Sequence, residues 1–166
     1  MRQFSLIKLS IILLLNGPLI NSNAKANESL TIYLSGMIKD KCVIESELGK
    51  PLDFSQTIMY KTNLHVDCNQ KMSLSIRSDS GGLKLQGQNN ILVDYNVKIE
   101  FNTLSFKVNK NASEIMSEHR FNAGNAIPFK TDGILRISLL DNFKHSGKYL
   151  DTLHIDVYPN IFNNED

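Results

Sequence analysis

Two-residue alternation of apolar and polar side chains recurs along this chain, whereas no stretch after residue 26 keeps a sustained helical period. Such alternation is typical of strands that bury one face. Clusters of Gly, Asn, Asp and Pro separate the runs, as turns do between short strands. The pattern predicts an all-β sandwich or barrel, with a single weak helix candidate at residues 112–121. The alternating runs are residues 30–38, 64–68, 72–76, 97–101, 135–139 and 153–157.

Residues 1–26 have the three parts of a secretory signal peptide. Arg2 and Lys8 make the start basic, residues 9–15 are apolar, and small residues precede two cleavage frames. The frame after Ala26 matches the small-x-small preference better than the frame after Ala24. The apolar run is far shorter than the roughly 20 residues that span a bilayer. We therefore expect residues 1–26 to be removed during export, with no membrane anchor retained.

Both cysteines, Cys42 and Cys68, lie in the exported part of the chain. An even cysteine count in an oxidising compartment favours a disulfide over a metal site, and two cysteines permit one intramolecular bridge. Closing a loop of this length stabilises a fold by roughly 3.5 kcal/mol on the chain-entropy model. About 140 residues remain after cleavage, which is the usual size of one domain.

Charge and motifs argue against several classes of function. The chain has 18 Lys and Arg against 17 Asp and Glu, which predicts no nucleic-acid or anionic-membrane partner. No serine-nucleophile elbow or zinc-protease helix is present, so we expect neither catalysis nor a cofactor. His65 with Asp67, and His154 with Asp156, each place an imidazole and a carboxylate on one strand face. We expect these pairs to be solvent-facing polar positions and not metal ligands.

Five short motifs follow one another in order along the exported chain, and the strongest is the closing Gly-x-Tyr-x-Asp-Thr-Leu before an alternating strand. They are Cys42-Val43-Ile44, Leu52-Asp53-Phe54, Leu64-His65-Val66-Asp67-Cys68, Asp94-Tyr95-Asn96-Val97 and Ser146-Gly147-Lys148-Tyr149-Leu150-Asp151-Thr152-Leu153. Together with the alternating run after the signal, they make the chain resemble the spore coat protein U domain family, which includes subunits of archaic (Csu-type) chaperone–usher pili. The chain departs from that family where Ser55 follows Phe54 in place of glycine, and where it continues to Asp166 beyond the last strand.

The resemblance implies an immunoglobulin-like pilin sandwich that lacks its last strand and is completed by a donor strand. It divides the chain into the signal peptide (residues 1–26), a donor-strand extension (27–41) and the pilin-like domain (42–166). It also implies three partners: a periplasmic chaperone that first fills the groove, an outer-membrane usher, and further pilus subunits joined head to tail. The protein would pass through the periplasm to a surface pilus that contributes to adhesion or biofilm.

The alternating run after the signal is the candidate donor strand. Leu30, Ile32, Leu34, Gly36 and Ile38 share one parity, so their side chains would enter a neighbour's groove while the backbone pairs with its open edge. The same alternation also fits an ordinary first strand packed within its own domain. Both interpretations are open at this point.

The last alternating run, residues 153–157, is the candidate groove edge. Leu153, Ile155 and Val157 share the parity of core residues, and in a pilin this strand borders the groove and contacts the chaperone. A self-complete secreted module that binds a ligand or forms a coat is the alternative function. It would fold and stay in solution without a chaperone, whereas a pilin would not.

Overall fold

The computed structural model describes residues 29–48, 51–88 and 90–160, in which antiparallel sheets share one apolar core. The predicted signal peptide lies outside these residues. The chain divides into two units, residues 1–36 and 37–166, and every described strand belongs to the second unit.

Eleven strands are found in the described residues. They are β1 (Cys42–Ser46), β2 (Met59–Cys68), β3 (Met72–Ser78), β4 (Leu83–Leu85), β5 (Leu92–Val93), β6 (Tyr95–Phe101), β7 (Phe106–Asn111), β8 (His119–Asn122), β9 (Thr131–Leu139), β10 (Tyr149–Leu150) and β11 (Leu153–Pro159). One sheet has the order β1-β2-β9-β6-β7, the second has the order β11-β3-β8, and a small third sheet has the order β10-β4-β5. All the pairings are antiparallel.

The core forms between the five-stranded sheet and the β11-β3-β8 sheet. Alternate residues of β6 are buried, which is the burial pattern of a strand with one face on the core. Core residues of the first sheet include Val97, Ile99 and Phe101, and those of the second include Leu74 and Ile76. The prediction of an all-β sandwich is confirmed, and so are the strands predicted at residues 64–68, 72–76, 97–101, 135–139 and 153–157.

The weak helix candidate at residues 112–121 is wrong beyond its first turn. A 3₁₀ turn spans Ala112–Glu114, where a capping box joins Asn111 and Glu114, and the chain then continues into β8. Residues of β8 pair with β3, so the backbone hydrogen bonds of this segment go to a neighbouring strand and not to a helix.

A disulfide between Cys42 and Cys68 joins β1 to β2, where the two residues lie directly opposite each other. This confirms the predicted bridge. Asn69 holds the chain just before β1, because its backbone N–H donates to the Lys41 carbonyl (3.0 Å) and its side-chain amide donates to the Lys39 carbonyl (2.8 Å). The disulfide also indicates a compartment more oxidising than the cytosol.

Candidate functional site: a groove between two open strand edges

Strand β11 lies at the edge of its sheet, with β3 as its only strand partner in the described residues. A hydrogen bond from the Asn160 N–H to the Lys71 carbonyl (2.7 Å) fixes which β11 residues bond to β3. Hydrogen-bonded pairs alternate along an antiparallel ladder, so the odd-numbered residues turn their backbone groups away from β3. These residues are Leu153, Ile155 and Val157.

Strand β1 forms the corresponding edge of the five-stranded sheet. The bond from Asn69 to the Lys41 carbonyl sets its register, so Cys42 and Ile44 turn their backbone N–H and C=O groups away from β2. The side chains of these two residues pack against the core, whereas Val43 and Glu45 are exposed. The two sheet edges approach each other here, but no strand ladder joins β1 to β11 in the described part of the chain. The residues whose backbone groups face away from their partner strand are thus also those with core-facing side chains.

An apolar cavity of about 360 Å³ opens beside these edges. Leu135 and Ile137 of β9 contribute side chains from the five-stranded sheet, and Leu153 and Ile155 of β11 contribute from the other. The rest of its lining is mainly apolar and includes Leu52, Phe54, Leu83, Tyr95, Tyr149 and Leu150. Of the predicted edge residues, Leu153 and Ile155 line this cavity, whereas Val157 packs against the core without lining it. We call this cavity and its two bordering strands the β1–β11 groove.

The loop before β2 places Phe54 in the groove wall. The Phe54 ring meets the Tyr60 ring edge-on, with 5.0 Å between ring centroids, and the Tyr60 hydroxyl donates to the Asp53 carbonyl. Ser55, at the position where the resembled family has glycine, donates to the Asp53 carboxylate through its N–H (2.9 Å) and its hydroxyl. These bonds hold the pKa of Asp53 below its ordinary value. In this chain Ser55 therefore closes the turn through the Asp53 carboxylate.

Asp151 organises the end of the groove where β11 begins. Its carboxylate accepts hydrogen bonds from the hydroxyls of Tyr95 (2.8 Å) and Ser78 (2.6 Å) and from the N–H groups of Ser80 (2.9 Å) and Thr152 (2.8 Å). Burial of Tyr95, together with the Asp151 carboxylate, raises the pKa of the tyrosine hydroxyl. The phenol is therefore a hydrogen-bond donor at neutral pH, and the network is structural. It gives a physical role to the Asp-Thr pair of the closing motif.

The residues of the candidate donor strand have no strand structure, since none is assigned from residue 29 to residue 41. The side chains are exposed by 87% at Leu30, 68% at Ile32, 90% at Leu34 and 86% at Ile38. No atom of the described residues lies within 4 Å of the position that a Cβ on Gly36 would take. Both interpretations of these residues, a donor strand and a first strand packed in the same domain, stay predictions.

The two His-x-Asp pairs do not combine into metal sites. His65 Nδ1 lies 2.6 Å from Asp132 Oδ1, and His154 Nε2 lies 3.1 Å from Asp79 Oδ1, so each imidazole has a carboxylate partner from another strand or turn. Within the described residues, no group of three or more His, Cys, Asp or Glu is arranged to hold a metal ion.

Sequence reasoning did not assign most of the groove lining. Leu52, Phe54 and Tyr149 were visible only as parts of family motifs, and Leu83 lies in a strand of only three residues. Spacing cannot reveal them, because the lining comes from loops and from a small third sheet that meet only in the folded chain.

Comparison with known proteins does not identify a family. No protein-family model matches the chain, and no curated protein matches it. Among the described residues, no helix is long and apolar enough to cross a membrane.

Proposed function

We propose that this protein is a structural subunit of a surface pilus that polymerises by donor-strand exchange, within an immunoglobulin-like fold that lacks one strand. The observation that carries the proposal is the β1–β11 groove, where two open strand edges flank an apolar cavity. An unpaired edge beside apolar surface is a template for another strand. A strand inserted there would pair with backbone groups on both sides and would bury its alternate side chains.

The occupant we propose is the segment Leu30 to Ile38 of another copy of the chain. Its apolar side chains are exposed, and they have the two-residue spacing that a groove between two edges accepts. Burying four aliphatic side chains contributes about 6–12 kcal/mol before the cost of ordering the segment. Because groove and segment are different surfaces of one subunit, the contact is heterologous and propagates as a fibre.

An open groove of this kind cannot stay empty in water without a risk of misassembly. In the proposed assembly, a periplasmic chaperone fills it first, and the segment of the next subunit replaces the chaperone strand at an outer-membrane usher. Export by the signal peptide of residues 1–26 is part of the same proposal. The disulfide supports it, because such bonds persist in the periplasm and at the cell surface. The protein then contributes to adhesion or biofilm as a fibre subunit and not as an enzyme.

Deletion of residues 27–38 tests the proposal. We expect the shortened protein to bind its chaperone and fail to form fibres, as measured by co-purification and by electron microscopy of the cell surface. A synthetic peptide of residues 29–39 should then bind the shortened protein and raise its melting temperature, because it binds the folded state alone.

Substitutions on the two faces of the segment provide a matched control. Ile32→Asp with Leu34→Asp should abolish assembly, because both carboxylates would be buried in the groove. Tyr33→Asp with Met37→Asp adds the same number of carboxylates to the side chains of the other parity and should leave assembly intact. Fibres from the deleted form, or equal effects of the two pairs, would overturn the proposal in favour of a self-complete secreted module.

A further inference from the structure

The outer face of the five-stranded sheet has three cations in one row. In the strand register, Lys61 of β2 is opposite Arg136 of β9, and Arg136 is opposite Lys98 of β6. Their neighbours along the strands, such as Leu135 and Val97, face the core, so the three charged side chains share the outer face. Adjacent strands lie about 4.8 Å apart, which places the three positive charges side by side. We call Lys61, Arg136 and Lys98 the basic row.

The positive charge of the basic row is only partly compensated. Glu100 bonds Lys98 (2.9 Å) and also Lys107 (3.5 Å) of β7, so one carboxylate serves two lysines. Lys61 and Arg136 have no ion pair in the described residues, and the buried Nε of Arg136 has no hydrogen-bond partner there. Like charges directly opposite each other destabilise a sheet, so an anion on this face would relieve a repulsion within the fold.

The chemistry around the basic row fits an anionic polymer of sugars. Arginine presents a planar fork that binds carboxylate or sulfate oxygens bidentately, and the lysines add point charges on either side. Asn109 of β7, opposite Lys98, and Ser138 of β9, two residues after Arg136, occupy outward positions and offer hydrogen bonds to hydroxyl groups. An open sheet face is too flat to enclose a small molecule, whereas a chain can lie across it.

Nucleic acid fits the same face less well. The chain has a net charge of only +1, and the outward positions beside the basic row include no aromatic side chain on which a base could stack. We propose that the basic row binds an acidic polysaccharide through its carboxylate or sulfate groups. The site lies on the opposite face of the sheet from the apolar core, so a subunit with a filled groove could bind the polymer. It therefore goes beyond the proposed function and does not depend on it.

The test compares two double variants of the full chain with equal loss of charge. Lys61→Gln with Arg136→Gln removes two charges of the basic row, and Lys130→Gln with Lys144→Gln removes two charges elsewhere. Binding to polygalacturonate, heparin, neutral dextran and duplex DNA is measured by biolayer interferometry at low and at physiological salt. Polygalacturonate presents carboxylates and heparin presents sulfates, so these two arms identify the anionic group.

We expect the wild type and the Lys130/Lys144 variant to bind polygalacturonate or heparin in a salt-dependent manner, and the Lys61/Arg136 variant to bind roughly tenfold more weakly or not at all. The Lys61/Arg136 variant should melt at or above the wild-type temperature, because it loses a repulsion. Equal binding by the two variants, equal binding to dextran, or tighter binding of DNA through the same residues would overturn the proposal.

Discussion

Residues 30–38 and strand β11 have closely similar patterns of alternating aliphatic side chains, yet they differ in strand pairing and in burial. Strand β11 pairs with β3 along its length, and its aliphatic side chains are partly buried. Residues 30–38 have no strand structure, and their aliphatic side chains are largely exposed. Alternation thus specifies which face a strand can bury, whereas a partner with a free edge decides whether it is buried. In the described residues, β11 has such a partner in β3.

The disulfide anchors the second edge of the groove, immediately after residues 30–38. Cys42→Ala with Cys68→Ala should lower the free energy of unfolding by about 3.5 kcal/mol, because the unfolded chain regains the freedom that the closed loop removes. Urea denaturation measures this change, and the wild type under reducing conditions should match the double variant. If the bridge contributed less than about 1 kcal/mol, β1 would be held by its ladder with β2 and not by the disulfide.

The Asp151 network anchors the start of β11. Its loss should weaken the strand structure there, which residues 30–38 lack. Tyr95→Phe removes a hydroxyl that donates to a carboxylate, so we expect a loss of about 2 kcal/mol in the free energy of unfolding. Amide hydrogen exchange at Thr152 should become faster.

Tyr149→Phe is the control for this variant, because the Tyr149 hydroxyl donates to the His145 carbonyl at an exposed position (3.1 Å). Its expected cost is about 0.5 kcal/mol. Equal losses in the two variants would mean that the Asp151 network does not hold the start of β11.

An Ile→Ala substitution in β11 and another in residues 30–38 test whether the two aliphatic patterns are buried in different places. Ile155→Ala should cost about 1.5 kcal/mol in the stability of the single chain, since the side chain is only partly buried. Ile32→Ala should leave that stability unchanged and should weaken subunit assembly about tenfold, because its side chain is buried only in a neighbour. Thermal melting and fibre yield separate the two effects. A loss of monomer stability in the Ile32 variant would contradict the comparison.

The alternating side chains predict some of these strands from the sequence and miss others. Alternation correctly located the strands at residues 64–68 and 153–157, because each buries one face on the shared core. It did not predict β1, whose five residues depend on the ladder with β2 and on the disulfide. Alternation also could not predict the strand register, because the two-residue period of the side chains is the same in every pairing. Scattered charges such as Lys61 and Arg136 therefore became neighbours only in the folded sheet.

The smallest expected effect is the pH dependence of stability that comes from a histidine–aspartate pair on the outer face of the five-stranded sheet. This pair also serves as a control for β11 and for residues 30–38. His65 Nδ1 lies 2.6 Å from Asp132 Oδ1, and this bond raises the pKa of the histidine above its ordinary value, with added attraction from Glu47 and Glu45. Both side chains are largely exposed, which limits what the pair contributes to stability. Neither residue lies in β11 or in residues 30–38.

The sign of the pH effect follows from that raised pKa. The folded state binds the proton more tightly than the unfolded state, so the stabilisation is full below the unfolded pKa and is lost as pH rises through the folded pKa. Asp132→Asn should therefore lower the melting temperature relative to wild type more at about pH 5.5 than at about pH 8.5. Asp156→Asn removes an exposed carboxylate without an ion pair in the described residues and should show no such dependence. Fibre assembly should be the same for Asp132→Asn and wild type at both pH values, and a change in assembly would connect this face of the sheet to the groove.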